Sequence, residues 1–154
     1  MRLETRLFMS KRVNEFFIVD VLIAVNKIKS YTKDFSDADT FLHDEKSFDA
    51  TMRELEIVGE ATKHLLRDEL LGKQWQIVVD FRNIIIHEYF GIEIDEIWEV
   101  ITVHLLEFET EVIAALKAMD KDLLSRLLKS ALIDNKHSQI TTILLNKLIQ
   151  DSEV

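Results

Sequence analysis

Not one of the 154 residues is proline, and Gly59, Gly72 and Gly91 are the only glycines. A chain so poor in turn-forming residues has few ways to build hairpins. Its apolar residues instead recur at steps of three and four almost throughout. The reading is an all-α protein, an antiparallel four-helix bundle with a short helical C-terminal extension. The absence of cysteine excludes a disulfide framework, a thiolate metal site and a thiol nucleophile.

The periodicity predicts a first helix from about Lys11 to Tyr31, with Val13, Phe16, Phe17, Val21, Ala24 and Ile28 inward. A polar, acidic link follows over Lys33–Lys46. A second helix is expected from about Ser47 to Leu70, with Phe48, Met52, Leu55, Gly59, Thr62 and Leu66 inward. Gly59 sits in mid-pattern, where glycine costs roughly 1 kcal/mol against alanine, so close approach of a neighbouring helix is its expected use. A third helix spans about Lys73 to Tyr89, with Gly91 as a left-handed cap. A fourth begins near Asp95, its N-cap, and turns Ile94, Ile97, Trp98, Ile101, Leu105, Phe108, Val112, Ala115 and Met119 inward. A boundary is placed at Met119–Asp120, giving a bundle domain over 1–119 and an extension over 120–154. The extension carries two amphipathic segments, Leu123/Leu124/Leu127/Leu128/Ala131 and Ile140/Ile143/Leu144/Leu148. It is too short to own a core, so it is expected to pack on the bundle or on another chain.

The net charge is −9, which argues against broad capture of nucleic acid, DNA included. The charge is uneven. Residues 30–60 hold three Lys/Arg against nine Asp/Glu and residues 91–119 one against seven, while residues 61–90 balance at four each. A polyanion must therefore be met at a local cationic spot. The opening segment MRLETRLFMSKRV lacks the apolar run of a signal peptide, and the run Phe16–Val25 is short for a membrane span and contains Asp20. A soluble cytoplasmic protein is expected.

The stretch that carries chemistry is RNIIIHEYF, Arg82 to Phe90. At about 100° per residue, Arg82 and Tyr89 lie within about 20° of each other, whereas Arg82 and His87 are about 140° apart. For arginine and histidine to converge, the chain must tighten near Phe90–Gly91, the arginine must reach round, or two copies must share one site. Ile84, Ile85 and Ile86 cover most of the circumference, which suits a bundle centre or a dimer seam. Arg82 and His87 admit a plain reading, a paired arginine and a hydrogen-bonded core histidine, with Glu60 or Glu88 as the arginine's partner. They also admit a functional one. An arginine fork binds phosphate and stabilises charge developing on it, and a histidine moves a proton to or from a ribose oxygen near neutral pH. Together they suffice for metal-free RNA cleavage by the 2′-hydroxyl, a group DNA lacks. His87–Glu88 begins like the zinc motif HExxH, but Gly91 stands where the second histidine is needed, and His43, His64, His104 and His137 are scattered, so no metal site is expected. No cofactor is expected either.

Arg82–Tyr89 matches the R-x4-H-x-Y motif of the HEPN superfamily, in its HepT-like branch. IVGEA at Ile57–Ala61, Trp75 followed by Phe81-Arg82-Asn83, and IDEIW at Ile94–Trp98 resemble further segments of that branch in the same order. The resemblance covers about residues 11–119; the extension departs from the family's shorter pattern. It implies an all-α homodimer in which the Arg and His motifs of two chains meet. It implies the toxin of a type VII-like HEPN/MNT toxin–antitoxin pair, a metal-independent ribonuclease cutting tRNA or mRNA. Its partner would be an MNT-type nucleotidyltransferase antitoxin that transfers AMP from ATP to Tyr89. Carried over by position, Arg82 binds phosphate and His87 is the general acid or base. Asn83 and Glu60 support them, and Tyr89 is the modification site. Trp75 and Trp98 are expected in the core or at an interface. Two rivals stand beside this: a catalytically silent HEPN module that only binds a nucleotidyltransferase, and a structural helical dimer in which Arg82–Glu60 is a mere ion pair.

Overall fold

A computed structural model describes residues 14–88 and 91–154. The architecture is all-α, as the spacing predicts. Helix α1 is Phe16–Thr32, α2 Ala38–His43, α3 Glu45–Arg67, α4 Gln76–His87, α5 Ile94–Glu99, α6 Leu105–Lys117, α7 Lys121–Asp134 and α8 Gln139–Ser152. A 3-10 turn, Lys73–Trp75, leads into α4, and a π-helical segment, Val100–His104, joins α5 to α6.

Helix α1 is buried nearly all round, with Ile18, Val19, Val21, Leu22, Val25 and Ile28 at 3% exposure or less. A helix apolar on every face belongs at the centre of a bundle, and α1 packs on α3, α6, α7 and α8. Its β-branched run is tolerable because tertiary packing, not propensity, decides there. The expected start of this helix at Lys11 and its inward position Val13 lie outside the described residues. Along α3 the predicted stripe holds: Met52, Leu55, Gly59 and Thr62 are buried, joined by Val58, Ala61 and Leu65.

Four local expectations need correction. The acidic link contains a helix, because two of its aspartates are N-caps: Asp37 accepts from Thr40 N at 2.8 Å and Asp44 from Ser47 N at 2.9 Å. Phe41, between them, is fully buried. These hydrogen bonds hold both carboxyls below the usual carboxylate range. Asp95 lies in the first turn of α5 rather than at its N-cap, which is Glu93. Gly91 does not adopt a left-handed conformation; its N–H donates to the Glu88 carbonyl at 2.8 Å. The left-handed residue is Glu69, φ 57°, which turns the chain after α3. The fourth predicted helix is one rod only with its π segment, which lets Ile97, Ile101, Leu105, Phe108, Val112 and Leu116 all face the core.

The C-terminal helices lie against α1. Asn26 Nδ2 donates to the Ile140 carbonyl at 3.5 Å, and Leu128, Ala131 and Leu145 are fully buried. Asp120 caps α7 by accepting from Leu123 N at 3.0 Å. Among the described residues no helix is long and apolar enough to cross a membrane.

One buried carboxylate gives the fold a pH dependence. Glu54 is buried on α3, 3.9 Å from Lys27 of α1. Desolvation pushes its carboxyl above the ordinary glutamate range, with Lys27 and Arg53 pulling the other way. The folded state therefore holds this proton more tightly than the unfolded chain does, so this group's contribution to stability falls as pH rises from the ordinary value through the raised one. Glu54→Gln is expected to flatten that slope, measured by urea unfolding from about pH 4 to about pH 7.

Candidate active site

The site forms where α4 crosses α3. Gly59 is buried at the crossing, and a β-carbon there would collide with Arg82 Cβ and Cγ and come within 3.4 Å of the Val78 carbonyl oxygen. The absence of a side chain at Gly59 is thus what lets the base of Arg82 lie directly on the α3 backbone. The next residue of α3, Glu60, then meets the far end of the same arginine.

Glu60 Oε2 lies 3.0 Å from Arg82 Nη2, and Arg82 Nη1 donates to Asn83 Oδ1 at 3.0 Å. Arg82 Nε is buried against the crossing without a hydrogen-bond partner. The guanidinium is therefore oriented from two sides. The side chains of Arg82 and Glu60 remain 25% and 45% exposed, so the pair is not a desolvated structural bridge. Pairs this exposed contribute about 0–1 kcal/mol, which leaves positioning of the guanidinium as the larger consequence. Three of the residues read from the sequence, Arg82, Asn83 and Glu60, are brought together.

His87 is the last residue of α4 and is exposed. No hydrogen bond joins its side chain to Arg82 or to any other described residue, as the helical angles anticipate. Tyr89 lies outside the described residues. Within α4 only Ile85 of the isoleucine triplet is buried, at 1%; Ile84 and Ile86 are 44% and 42% exposed. The bundle-centre reading of this helix is corrected: one face packs inward and the other stays open. Ile77, one turn-pair earlier, is 67% exposed, and Val103 and Leu106 are each 46% exposed. Trp75 and Trp98 pack against the core, Trp75 edge-on to Phe108 at 5.0 Å and Trp98 against Phe41 at 5.4 Å.

The sequence reading missed a polar chain along α3. Glu60 Oε1 lies 3.7 Å from His64 Nε2, and Arg67 Nη2 donates to His64 Nδ1 at 3.1 Å. An arginine can only donate, so His64 accepts at Nδ1, and in neutral imidazole the proton then sits on Nε2, facing Glu60. The His64 ring lies flat on Phe17, centroids 4.3 Å apart. The signal was present: Glu60, His64 and Arg67 are spaced four and three apart, one face of one helix. Among the described residues no three His, Cys, Asp or Glu side chains converge on a metal-binding position. Chemically the site offers an oriented guanidinium and an amide, groups that bind a phosphodiester, while the exposed imidazole of His87, a group that can move a proton, stands apart from them within one chain.

A family model described as Ribonuclease HepT-like matches residues 21–115. Among curated proteins, "Putative RNase MJ1380" of Methanocaldococcus jannaschii is 34% identical over 107 residues, covering 68% of this chain and 97% of that protein. "Putative RNase MJ0127" of the same organism is 35% identical over 97 residues, 60% of this chain and 78% of that protein. "Probable ribonuclease HepT" of Thermococcus cleftensis is 32% identical over 94 residues, 59% of this chain and 84% of that protein. No solved structure matches the chain. The segment matched by the family model contains every residue of the site and ends before Asp120.

Proposed function

Because the chain belongs to the ribonuclease HepT-like family, we propose that it is a metal-independent endoribonuclease, the toxin of a type VII-like HEPN/MNT toxin–antitoxin pair, acting in the cytoplasm on tRNA or mRNA. The observation that carries this reading is the guanidinium of Arg82, oriented by Glu60 and Asn83 five residues before an exposed His87. The ribose 2′-oxygen attacks the adjacent phosphorus as its proton leaves, and the bond from phosphorus to the 5′-oxygen breaks. That oxygen takes up a proton, and the products are a 2′,3′-cyclic phosphate and a 5′-hydroxyl. His87 moves one of these protons. Arg82 binds the non-bridging oxygens, whose charge grows in the transition state.

One chain does not bring Arg82 and His87 together, and the open face of α4 supports a homodimer that does. Ile77 and Ile84, seven apart on one face of α4 and 67% and 44% exposed, supply apolar surface for such a seam. Ile84→Glu is expected to give a folded monomer, since Ile84 is 44% exposed, with RNA cleavage abolished. Sedimentation together with circular dichroism checks this; a dimer that persists and still cleaves would remove the seam.

The antitoxin is a nucleotidyltransferase that moves AMP from ATP to the Tyr89 hydroxyl, forming a phosphodiester at that oxygen and releasing pyrophosphate. The added phosphate is a ready partner for the guanidinium of Arg82, seven residues earlier in the sequence, so modification would block the site with charge and bulk together. Intact mass of the protein, alone and after incubation with the antitoxin and ATP, is expected to rise by one AMP per modified chain, mapped to Tyr89. An unchanged mass in a pair that still binds would mean inhibition by masking alone.

A further inference from the structure

Beside the site a cleft of about 700 Å³ runs between α3 and the start of α4, lined by Lys63, Arg67, Lys73, Gln76 and Asn83 over a floor of Leu66 and Val79. We infer that this cleft carries the sugar–phosphate backbone of the RNA on one side of the bond that is cut. This rests on the ribonuclease reading above and adds where the substrate lies.

Asn83 connects the two places. It lines the cleft and accepts the hydrogen bond from Arg82, so a strand leaving the guanidinium past Asn83 enters the cleft. Charge points the same way. Residues 61–90 contain four cations and four acids. Three of the cations line the cleft and the fourth is Arg82, while none of Asp68, Glu69, Asp80 and Glu88 lines it. In a chain of net charge −9, long-range attraction to a polyanion is absent, so a phosphate backbone requires a local cluster of cations; Arg67 Nε also lies 3.6 Å from Asp68 Oδ1, which leaves Lys63 and Lys73 as the cleft cations open to phosphate. Lys63 and Arg67 share a face of α3, and Arg67 is tethered to His64, itself stacked on Phe17. Neither Lys63 nor Lys73 has a carboxylate partner among the described residues, and both are exposed. The apolar floor suits a ribose or a base, and the two amides supply hydrogen bonds to ribose hydroxyls.

The test uses the full chain and an RNA that the wild type cleaves. Lys63→Glu/Lys73→Glu is compared with Lys129→Glu/Lys136→Glu, which makes the same charge change at exposed positions on and after α7. KM for cleavage is measured across a range of salt concentrations. The cleft pair is expected to raise KM at least about tenfold and to lower the salt slope by about 1–2, near 0.7 for each single-strand phosphate that is no longer neutralised; the control pair leaves both unchanged. The milder Lys63→Gln/Lys73→Gln pair is expected to move both in the same direction, which separates the removal of a phosphate partner from repulsion by an introduced carboxylate. If cleft and control variants match the wild type, the RNA lies elsewhere and the ribonuclease reading survives. If the wild type cleaves no RNA, that reading falls and this one with it.

Discussion

His87→Ala is expected to abolish RNA cleavage while leaving the fold intact. General acid–base groups contribute typically 10²–10⁴ in rate, so a drop of at least about 100-fold is anticipated at saturating RNA. The fold is expected to survive because the His87 side chain is exposed at the end of α4 and makes no hydrogen bond with a described residue. Circular dichroism and thermal unfolding on the same preparation separate the two effects. A silent binding module predicts that the wild type is as inactive as the variant. A structural dimer predicts the same, and adds a large stability loss on removing Arg82, which the exposure of the Arg82–Glu60 pair does not support.

Gly59→Ala is expected to damage both stability and cleavage, although it places a better helix former in mid-helix. Two effects oppose each other. Replacing glycine inside α3 by alanine gains about 1 kcal/mol of helix propensity. The new methyl, however, collides with the Cβ and Cγ of Arg82, whose backbone belongs to a packed helix. A flexible tip would swing aside; the root of a side chain moves only with its helix. Overpacking of this kind costs typically about 1–3 kcal/mol, so a net loss of up to about 2 kcal/mol is expected from urea unfolding. Displacing α4 also moves the guanidinium away from Glu60, so cleavage should fall further than stability alone explains. Glu60→Gln offers a cross-check, since it leaves the crossing untouched and weakens only the hold on Arg82.

The same glycine shows how far the fold was legible in the chain. Its place within an apolar stripe announced a close helix approach, and the arginine it accommodates was already singled out by its neighbours in RNIIIHEYF. Helical spacing likewise placed α1, α3 and α4, because burial of a stripe is a direct consequence of periodicity. What it could not give were features decided by single hydrogen bonds or by tertiary context. Asp37 and Asp44 stood in the sequence only as part of a polar, acidic link, yet each caps a helix. The π segment Val100–His104 is invisible to a search at 3.6 residues per turn. In α8 the buried positions are Thr141 and Leu145, while Ile143, expected inward, is 63% exposed. Adjacent Ile, Leu and Leu leave the phase of a short helix undetermined, and the neighbour it meets settles it.

Within the site, Glu60 was legible as a carboxylate on the facing helix, yet the continuation through His64 to Arg67 was not, because each residue alone is ordinary. The seam on α4 was half legible. Three isoleucines in a row said that more than one side of this helix avoids water; of the three, one chain covers only Ile85.

The central claim is that RNA is cut by its own 2′-hydroxyl at the Arg82–His87 site. The direct measurement is end-group analysis of RNA cleaved by the purified, unmodified protein in excess chelator. The expected products are fragments ending in a 2′,3′-cyclic phosphate with 5′-hydroxyl partners, and no cutting where the 2′-position at the cleavage site is methylated. Fragments carrying 5′-phosphates, cleavage that requires a divalent metal, or no cleavage by homogeneous unmodified protein would contradict it.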